Sequence, residues 1–149
     1  QWIMKCADSL QILYDTLRQR LLEQPVIYAD ETTLKVVSDN KSKSYIWLYA
    51  SGADSHEGKL SGTDIPNIVL NDYNASRAGQ VAINYLGGYD GYIRVDGYAG
   101  YHKTQATLVG CWAYARRYFT DVQKAMGKHK SGKVEWALNH IKSCMVSKR

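Results

Sequence analysis

Apolar residues recur along the chain at two spacings, which predict helices in some segments and strands in others. Between residues 2 and 23 they recur at steps of three and four, the period of an amphipathic helix. Pro25 ends this helix, because the residue before a proline disfavours the helical conformation. Short runs rich in β-branched and aromatic residues predict five strands, at 26–31, 45–50, 68–70, 92–96 and 107–112. Further helical patterns lie at 78–86, 113–126 and 134–145.

The order of these elements predicts the connections within the sheet. The first three strands have no helix between them, so we expect them to be antiparallel. The helix at 78–86, which Asn74 or Ser76 is positioned to cap, permits a right-handed crossover to a parallel fourth strand. We therefore predict an α/β fold with a ribonuclease-H-like mixed five-stranded sheet, three antiparallel strands followed by two parallel ones, flanked by helices. In that architecture the first and fourth strands are neighbours.

Two aspartates stand at the ends of the strands that this sheet would make neighbours. Asp30 closes the first strand and Asp96 closes the fourth, 66 positions later. Carboxylate oxygens are the ligands that Mg²⁺ prefers, and a rigid strand end is a suitable frame for them. Each aspartate alone also fits a residue that merely caps a strand or a turn. Together they predict a metal site.

Charge is distributed unevenly over a chain whose 149 residues predict one domain. The first 115 residues carry ten basic and twelve acidic side chains, whereas the remainder carries nine basic and two acidic ones. A basic C-terminal flank of this kind favours contact with phosphates, although a solvated pair of basic helices is the alternative. The candidate DNA-binding residues are Arg116, Arg117, Lys124, Lys128 and Lys130.

Membrane and disulfide partners are not expected. No apolar run approaches the ~20 residues of a membrane-spanning helix. Cys6, Cys111 and Cys144 are far apart and odd in number, which favours a reducing compartment, with Cys6 and Cys111 as small buried side chains.

The sequence also predicts where several aromatic side chains and Glu31 lie. Trp47, Tyr49 and Trp112 are expected to fill the core or a strand face. Tyr98 and Tyr101 follow Asp96 closely and are expected near the site. Glu31 should point to the side of the strand opposite Asp30, and we expect it to pair with a base or cap a backbone amine.

Three segments together resemble the insertion-sequence-66 family of DDE transposases. They are 28–32 (Y-A-D-E-T), 96–101 (D-G-Y-A-G-Y) and 111–119 (C-W-A-Y-A-R-R-Y-F). The family typically shows H-A-D-E-T, D-x-Y-x-G-Y and C-W-A-H-A-R-R-x-F in this order and at similar spacing. Tyr114 replaces the family's usual His, and Thr33 stands where Pro is frequent. The resemblance covers essentially the whole chain.

The resemblance implies a ribonuclease-H-like core that cuts and joins DNA with two Mg²⁺ (or Mn²⁺) ions. Asp30 matches the first catalytic aspartate and Asp96 the second, both as metal ligands. The third ligand in the family is a glutamate within D-N-N-x-x-E-R, and this motif does not occur in the chain. Glu135 lies 39 positions after Asp96, but its neighbours do not match that motif, so we interpret it as a surface carboxylate.

The resemblance therefore predicts one partial catalytic domain over residues 1–149. It comprises a leading helix (1–25), a sheet core (26–115) and the basic helical start of an insertion region (116–149). We expect little strand transfer by this chain alone, with the transposon ends and target DNA as partners, a homo-oligomer, and a cytoplasmic, nucleoid-associated bacterial location. A ribonuclease-H-like nuclease and a non-catalytic DNA-binding or assembly module remain as alternatives.

Overall fold

The computed structural model describes residues 2–37, 43–51, 67–126 and 132–146. Its helices are α1 (Trp2–Leu22), α2 (Gly79–Leu86), α3 (Trp112–Ala125) and α4 (Gly132–Val146), with a 3-10 helix at Ala99–Lys103. Its strands are β1 (Val26–Leu34), β2 (Ser44–Ser51), β3 (Val69–Asn74), β4 (Tyr92–Val95) and β5 (Thr107–Gly110). The chain forms two compact units, residues 1–109 and 110–149.

The five strands form one mixed sheet in the order β3-β2-β1-β4-β5. β2 is antiparallel to both β1 and β3, and β4 is parallel to β1. The Thr107 N–H donates to the Gly91 carbonyl over 2.9 Å, so β5 begins beside the start of β4. The predicted mixed five-stranded sheet, with the first and fourth strands as neighbours, is confirmed.

One face of the sheet carries the core. Along β1, Ile27 and Ala29 are buried, whereas Tyr28 is half-buried and Asp30 is exposed, the alternation of a strand with one covered face. Their neighbours in the core come from β2, α2 and β4 and include Trp47, Tyr49, Val81, Ala82, Leu86, Ile93 and Val95. Fully burying one such side chain contributes roughly 1.5–3 kcal/mol. The predictions for Trp47 and Tyr49 are therefore confirmed.

The prediction for Trp112 was wrong. Its side chain is 48% exposed, because β5 ends at Gly110 and Trp112 opens α3 instead of continuing the strand. Within the second unit, α3 contacts α4. Cys6 was also expected to be buried but is exposed.

Helix α1 has the predicted bounds within one residue, but only its C-terminal part packs on the core. Leu21 is fully buried and Leu17 packs beside it, whereas Ile3 is 83% exposed and Leu10 57%. The helix is 21 residues long, or about 32 Å at 1.5 Å per residue. That length exceeds the reach of a six-residue strand such as β3, about 20 Å.

The connection from β3 to α2 is stabilised by two short polar side chains, but neither caps the helix. Asn74 Oδ1 accepts a hydrogen bond from the Ser76 N–H, and Ser76 Oγ accepts one from the Ala78 N–H. The residue before the helix is Ala78, so the predicted side-chain cap was wrong. Gly87 ends α2 at φ 55°, a left-handed conformation that glycine adopts without strain.

Among the helices that the structure describes, none has the length and apolar character needed to span a membrane.

Candidate functional site

The register of β1 against β4 relates the two strands that carry the predicted aspartates. The ladder pairs Val26 with Tyr92, Ile27 with Ile93 and Tyr28 with Arg94. These pairs end two residues before the aspartates, and the same offset, if continued, would set Asp30 opposite Asp96. Asp30 lies in the middle of β1, which continues to Leu34 instead of closing at the aspartate, whereas Asp96 directly follows the last residue of β4.

Each aspartate is anchored by a backbone amide close to it in sequence. Asp30 is exposed, and its Oδ1 accepts the Glu31 N–H over 2.9 Å. Asp96 is half-buried, and its Oδ1 accepts the Tyr98 N–H over 2.9 Å. Gly97, which lies between Asp96 and Tyr98, adopts φ 95°, a conformation that residues with a side chain rarely adopt. It turns the chain directly after the Asp96 carboxylate.

A cation–aromatic pair precedes the aspartates on the same face of the sheet. The Arg94 guanidinium carbon lies 5.3 Å from the centroid of the Tyr28 ring. Because strand residues two apart share a face, Arg94 lies on the side of β4 to which Asp96 belongs. The carboxylates therefore have a guanidinium group on their own side of the sheet.

Glu31 points to the opposite face, into the interior. Its side chain is 1% exposed and lies 2.5 Å from Arg77 Nη2 and 3.0 Å from Arg77 Nε through the same oxygen, Oε1. Its second oxygen, Oε2, accepts the Tyr101 hydroxyl proton over 2.9 Å. The prediction that Glu31 pairs with a base is confirmed.

Electrostatics keep this arrangement in one protonation state. Burial, reinforced by the Glu31 charge, raises the pKa of the Tyr101 phenol far above its usual value, so the hydroxyl remains a donor. The hydrogen bond to Glu31 raises the pKa of the Arg77 guanidinium as well. A buried carboxylate is therefore matched by one cation and one neutral donor.

Aromatic rings enclose the pair. Tyr101 meets Trp47 edge-on at 5.8 Å between ring centroids, and Tyr98 meets Tyr101 edge-on at 5.9 Å. The Arg77 guanidinium carbon lies 4.2 Å from the Tyr98 ring centroid, and the Tyr98 hydroxyl donates to the Arg77 carbonyl. We call Glu31, Arg77, Tyr98 and Tyr101 the Glu31 cluster.

Sequence reasoning placed Tyr98 and Tyr101 near the site but missed Arg77. Tyr98 contacts Asp96 through its amide, whereas Tyr101 contacts Glu31. Arg77 lies 46 positions from Glu31 in a polar connection with no motif or periodicity. The signal available in the sequence was that Glu31 faces away from Asp30 on its strand, which predicted a basic partner without identifying it.

The predicted DNA-binding residues belong to the second unit. Arg116, Arg117 and Lys124 are exposed on α3. The Arg117 guanidinium carbon lies 5.0 Å from the Tyr114 ring centroid, and Lys124 Nζ lies 3.6 Å from Asp121. Lys128 and Lys130 lie outside the described residues.

A third metal-binding side chain does not join the aspartates in the described part of the chain. Among those residues, no group of three or more His, Cys, Asp or Glu side chains is arranged to hold a metal ion. Glu135 is exposed in the first turn of α4, in agreement with its interpretation as a surface carboxylate.

Comparison with known proteins identifies a family. The model of the Transposase IS66 family matches residues 1–147. Two curated relatives come from Sinorhizobium fredii (strain NBRC 101917 / NGR234). "Uncharacterized protein y4qI" is 31% identical over 136 residues, which are 82% of this chain and 24% of the relative. "Uncharacterized protein y4jD" is 30% identical over 137 residues, 85% of this chain and 26% of the relative. The chain thus spans about a quarter of each relative's length. No solved structure matches it.

Proposed function

The chain belongs to the IS66 family of transposases, and from this premise we propose that it is part of a ribonuclease-H-like catalytic core that cleaves and transfers DNA strands. In this proposal Asp30 and Asp96 are catalytic residues and metal ligands. The observation that supports the proposal is the β1–β4 register, whose offset of 66 residues equals the separation of the two aspartates in the sequence.

The donor set suits a hard divalent cation. Mg²⁺ and Mn²⁺ prefer carboxylate oxygens and retain several water ligands, and Asp30 is accessible to solvent. When bound, such ions activate an attacking hydroxyl or water and stabilise the departing oxyanion. Asp30 and Asp96 would hold the ions, and the backbone amides of Glu31 and Tyr98 orient the two carboxylates. With two carboxylates we expect one ion to bind weakly.

Titration with Mn²⁺ by calorimetry tests this site. We expect binding by the wild-type chain to be lost in Asp30→Asn and in Asp96→Asn. Asp90→Asn is the matched control, because it removes the same charge from an exposed position at the other end of β4. Binding that survives both site substitutions, or is lost equally in Asp90→Asn, would disprove the metal site.

DNA is the proposed macromolecular partner, through Arg116, Arg117 and Lys124 on α3, with Lys128 and Lys130 as further sequence candidates. Phosphate contacts make DNA binding salt-dependent, so that log K falls as log salt rises. Each lost contact makes this fall less steep by about one unit. We expect Arg117→Ala to make the fall less steep on duplex DNA. The same slope in both proteins would exclude Arg117 as a phosphate contact.

A second candidate function is a non-catalytic DNA-binding or assembly module. The observation that favours it is that no third metal-ligating side chain joins Asp30 and Asp96 among the described residues. A module of this kind would bind DNA equally well in Asp30→Asn and Asp96→Asn and would take up no Mn²⁺. The calorimetric titration therefore separates the two candidates.

A further inference from the structure

The Glu31 cluster joins three segments, two of which contain or closely follow an aspartate of the proposed site. Glu31 belongs to β1, Arg77 to the connection before α2, and Tyr101 to the 3-10 helix after β4. We propose that Glu31, Arg77 and Tyr101 are positioning residues that hold Asp30 and Asp96 in register, an inference that rests on the function proposed above.

Glu31 sets the direction of the Asp30 side chain. It follows Asp30 directly, and adjacent strand residues point to opposite faces. A Glu31 side chain fixed in the interior therefore fixes the direction in which Asp30 leaves the strand. Two hydrogen bonds from Arg77 and one from Tyr101 provide that fixation.

Arg77 is linked to Asp96 through Tyr98. The Asp96 carboxylate accepts the Tyr98 N–H, and the Tyr98 ring lies beneath the Arg77 guanidinium. The Tyr98 hydroxyl in turn donates to the Arg77 carbonyl. Arg77 therefore contacts both the side chain next to Asp30 and the residue that anchors Asp96.

Burial of the Glu31 carboxylate makes the Glu31 cluster rigid. A buried carboxylate strongly favours a conformation in which its partners remain in place, because removing one leaves a charge without compensation. The Trp47 ring closes the cluster from the sheet side, so Tyr101 has little freedom to turn away. The cluster thus links β1 to the segment after β4 beyond Tyr28 and Arg94, the last pair of their ladder.

Glu31 acts in this proposal through Asp30 and not as a metal ligand. Its side chain lies on the interior face, and both of its oxygens are already engaged by Arg77 and Tyr101. A positioning role predicts that loss of one hydrogen bond changes the site geometry more than the overall stability.

The test compares Tyr101→Phe with Tyr89→Phe. Both substitutions remove one phenol hydroxyl from a buried ring that donates to a single oxygen within 3.0 Å, Glu31 Oε2 for Tyr101 and the Gln24 carbonyl for Tyr89. Tyr89 lies at the opposite end of β1 and β4, away from the aspartates. The readouts are hydrogen exchange of the Tyr98 amide by NMR and the dissociation constant for Mn²⁺ alone.

In Tyr101→Phe we expect the Tyr98 amide to exchange about tenfold faster and Mn²⁺ to bind about tenfold more weakly, the effect of one hydrogen bond to a charged group. In Tyr89→Phe neither quantity should change. Arg77→Lys provides a second variant: it keeps the charge but loses the two-pronged contact, so both changes should recur.

Three results are possible. Both changes in Tyr101→Phe and Arg77→Lys, with none in Tyr89→Phe, support the positioning role. An unchanged Tyr98 amide in these variants overturns it, as does unchanged Mn²⁺ affinity in a wild-type chain that binds the ion. If the wild-type chain takes up no Mn²⁺, the proposed metal function fails, and hydrogen exchange still decides whether the cluster holds the Asp96 turn.

Discussion

Gly79 lies so close to Gly100 that a Cβ atom on Gly79 would stand 2.4 Å from the Gly100 carbonyl oxygen. The first residue of α2 therefore meets the backbone of the 3-10 helix directly, with no side chain between them. This close approach brings Arg77, two residues before α2, against the segment that carries Tyr101. Glycine is required here for space and not for its backbone conformation, because the described glycines with a positive φ are Gly87, Gly88 and Gly97.

Substitution Gly79→Ala should lower the free energy of unfolding by about 1–3 kcal/mol, since one backbone must move away from the other. Urea denaturation followed by circular dichroism measures this loss. Gly132→Ala is the control, because a Cβ there meets no atom within 4 Å, and we expect it to be neutral. A Gly79→Ala chain as stable as the wild type would show that the two segments separate at little cost.

Two tryptophans that sequence reasoning treated alike should respond differently to truncation. Trp47 is fully buried and its Nε1 donates to the Ser76 carbonyl over 3.3 Å, whereas Trp112 is 48% exposed. Trp47→Ala should cost about 3–5 kcal/mol in unfolding free energy. Trp112→Ala should cost well under half of that. Chemical denaturation of both variants measures the difference, and equal losses would contradict the burial assigned to Trp47.

The position of the two aspartates could be predicted from the sequence because it depends on local patterns. The runs around Ile27 and Ile93 have strong strand character, and each ends in an aspartate. A helix between the third and fourth strands leaves a parallel crossover as the simplest connection. These two features predict that β1 and β4 are parallel neighbours, and the observed offset of their ladder equals the separation of Asp30 and Asp96.

The Glu31 cluster could not be predicted because it depends on contacts between distant segments. Nothing near Arg77 in the sequence indicates that it meets a carboxylate 46 positions away. The same limit applies to Trp112, where a strand-like run gives way to a helix that the local pattern places one residue later. In α1 the periodicity correctly predicts a helix, but it carries no information about how far the sheet extends beneath it.

Stability should fall in alkali because buried phenols resist ionisation. Burial raises the pKa of Tyr89 to about 12 from an ordinary value of 10.0. The stabilising contribution of the neutral Tyr89 phenol to the unfolding free energy is therefore full below pH 10 and is lost as the pH rises through 12. We expect the unfolding free energy of the wild type to drop by about 1–2 kcal/mol more than that of Tyr89→Phe over this interval. Urea titrations at pH 9 and pH 12 measure the two drops, and parallel curves would contradict the prediction.

Asp72 provides the opposite case, a carboxylate that weakens the fold at neutral pH. It pairs across the sheet with the fully buried Trp47, and burial raises its pKa above the ordinary 3.8, against a smaller opposing effect of Arg18. Because the pKa of Asp72 is raised in the folded state, the protonated side chain contributes favourably to the unfolding free energy. This contribution is full below pH 3.8 and is lost as the pH rises through the pKa of the folded state. At pH 7 the ionised group therefore costs stability.

Asp72→Asn keeps the shape of the side chain and removes this cost. We expect the variant to unfold at a higher urea concentration than the wild type at pH 7, with an advantage that shrinks as the pH approaches 4. The slope of the difference with pH isolates the carboxylate, because all other titrating groups are common to both chains. If the variant is less stable at pH 7, attraction between Arg18 and Asp72 outweighs the burial of the carboxylate. The contact between α1, which carries Arg18, and β3, which carries Asp72, would then depend on that pair.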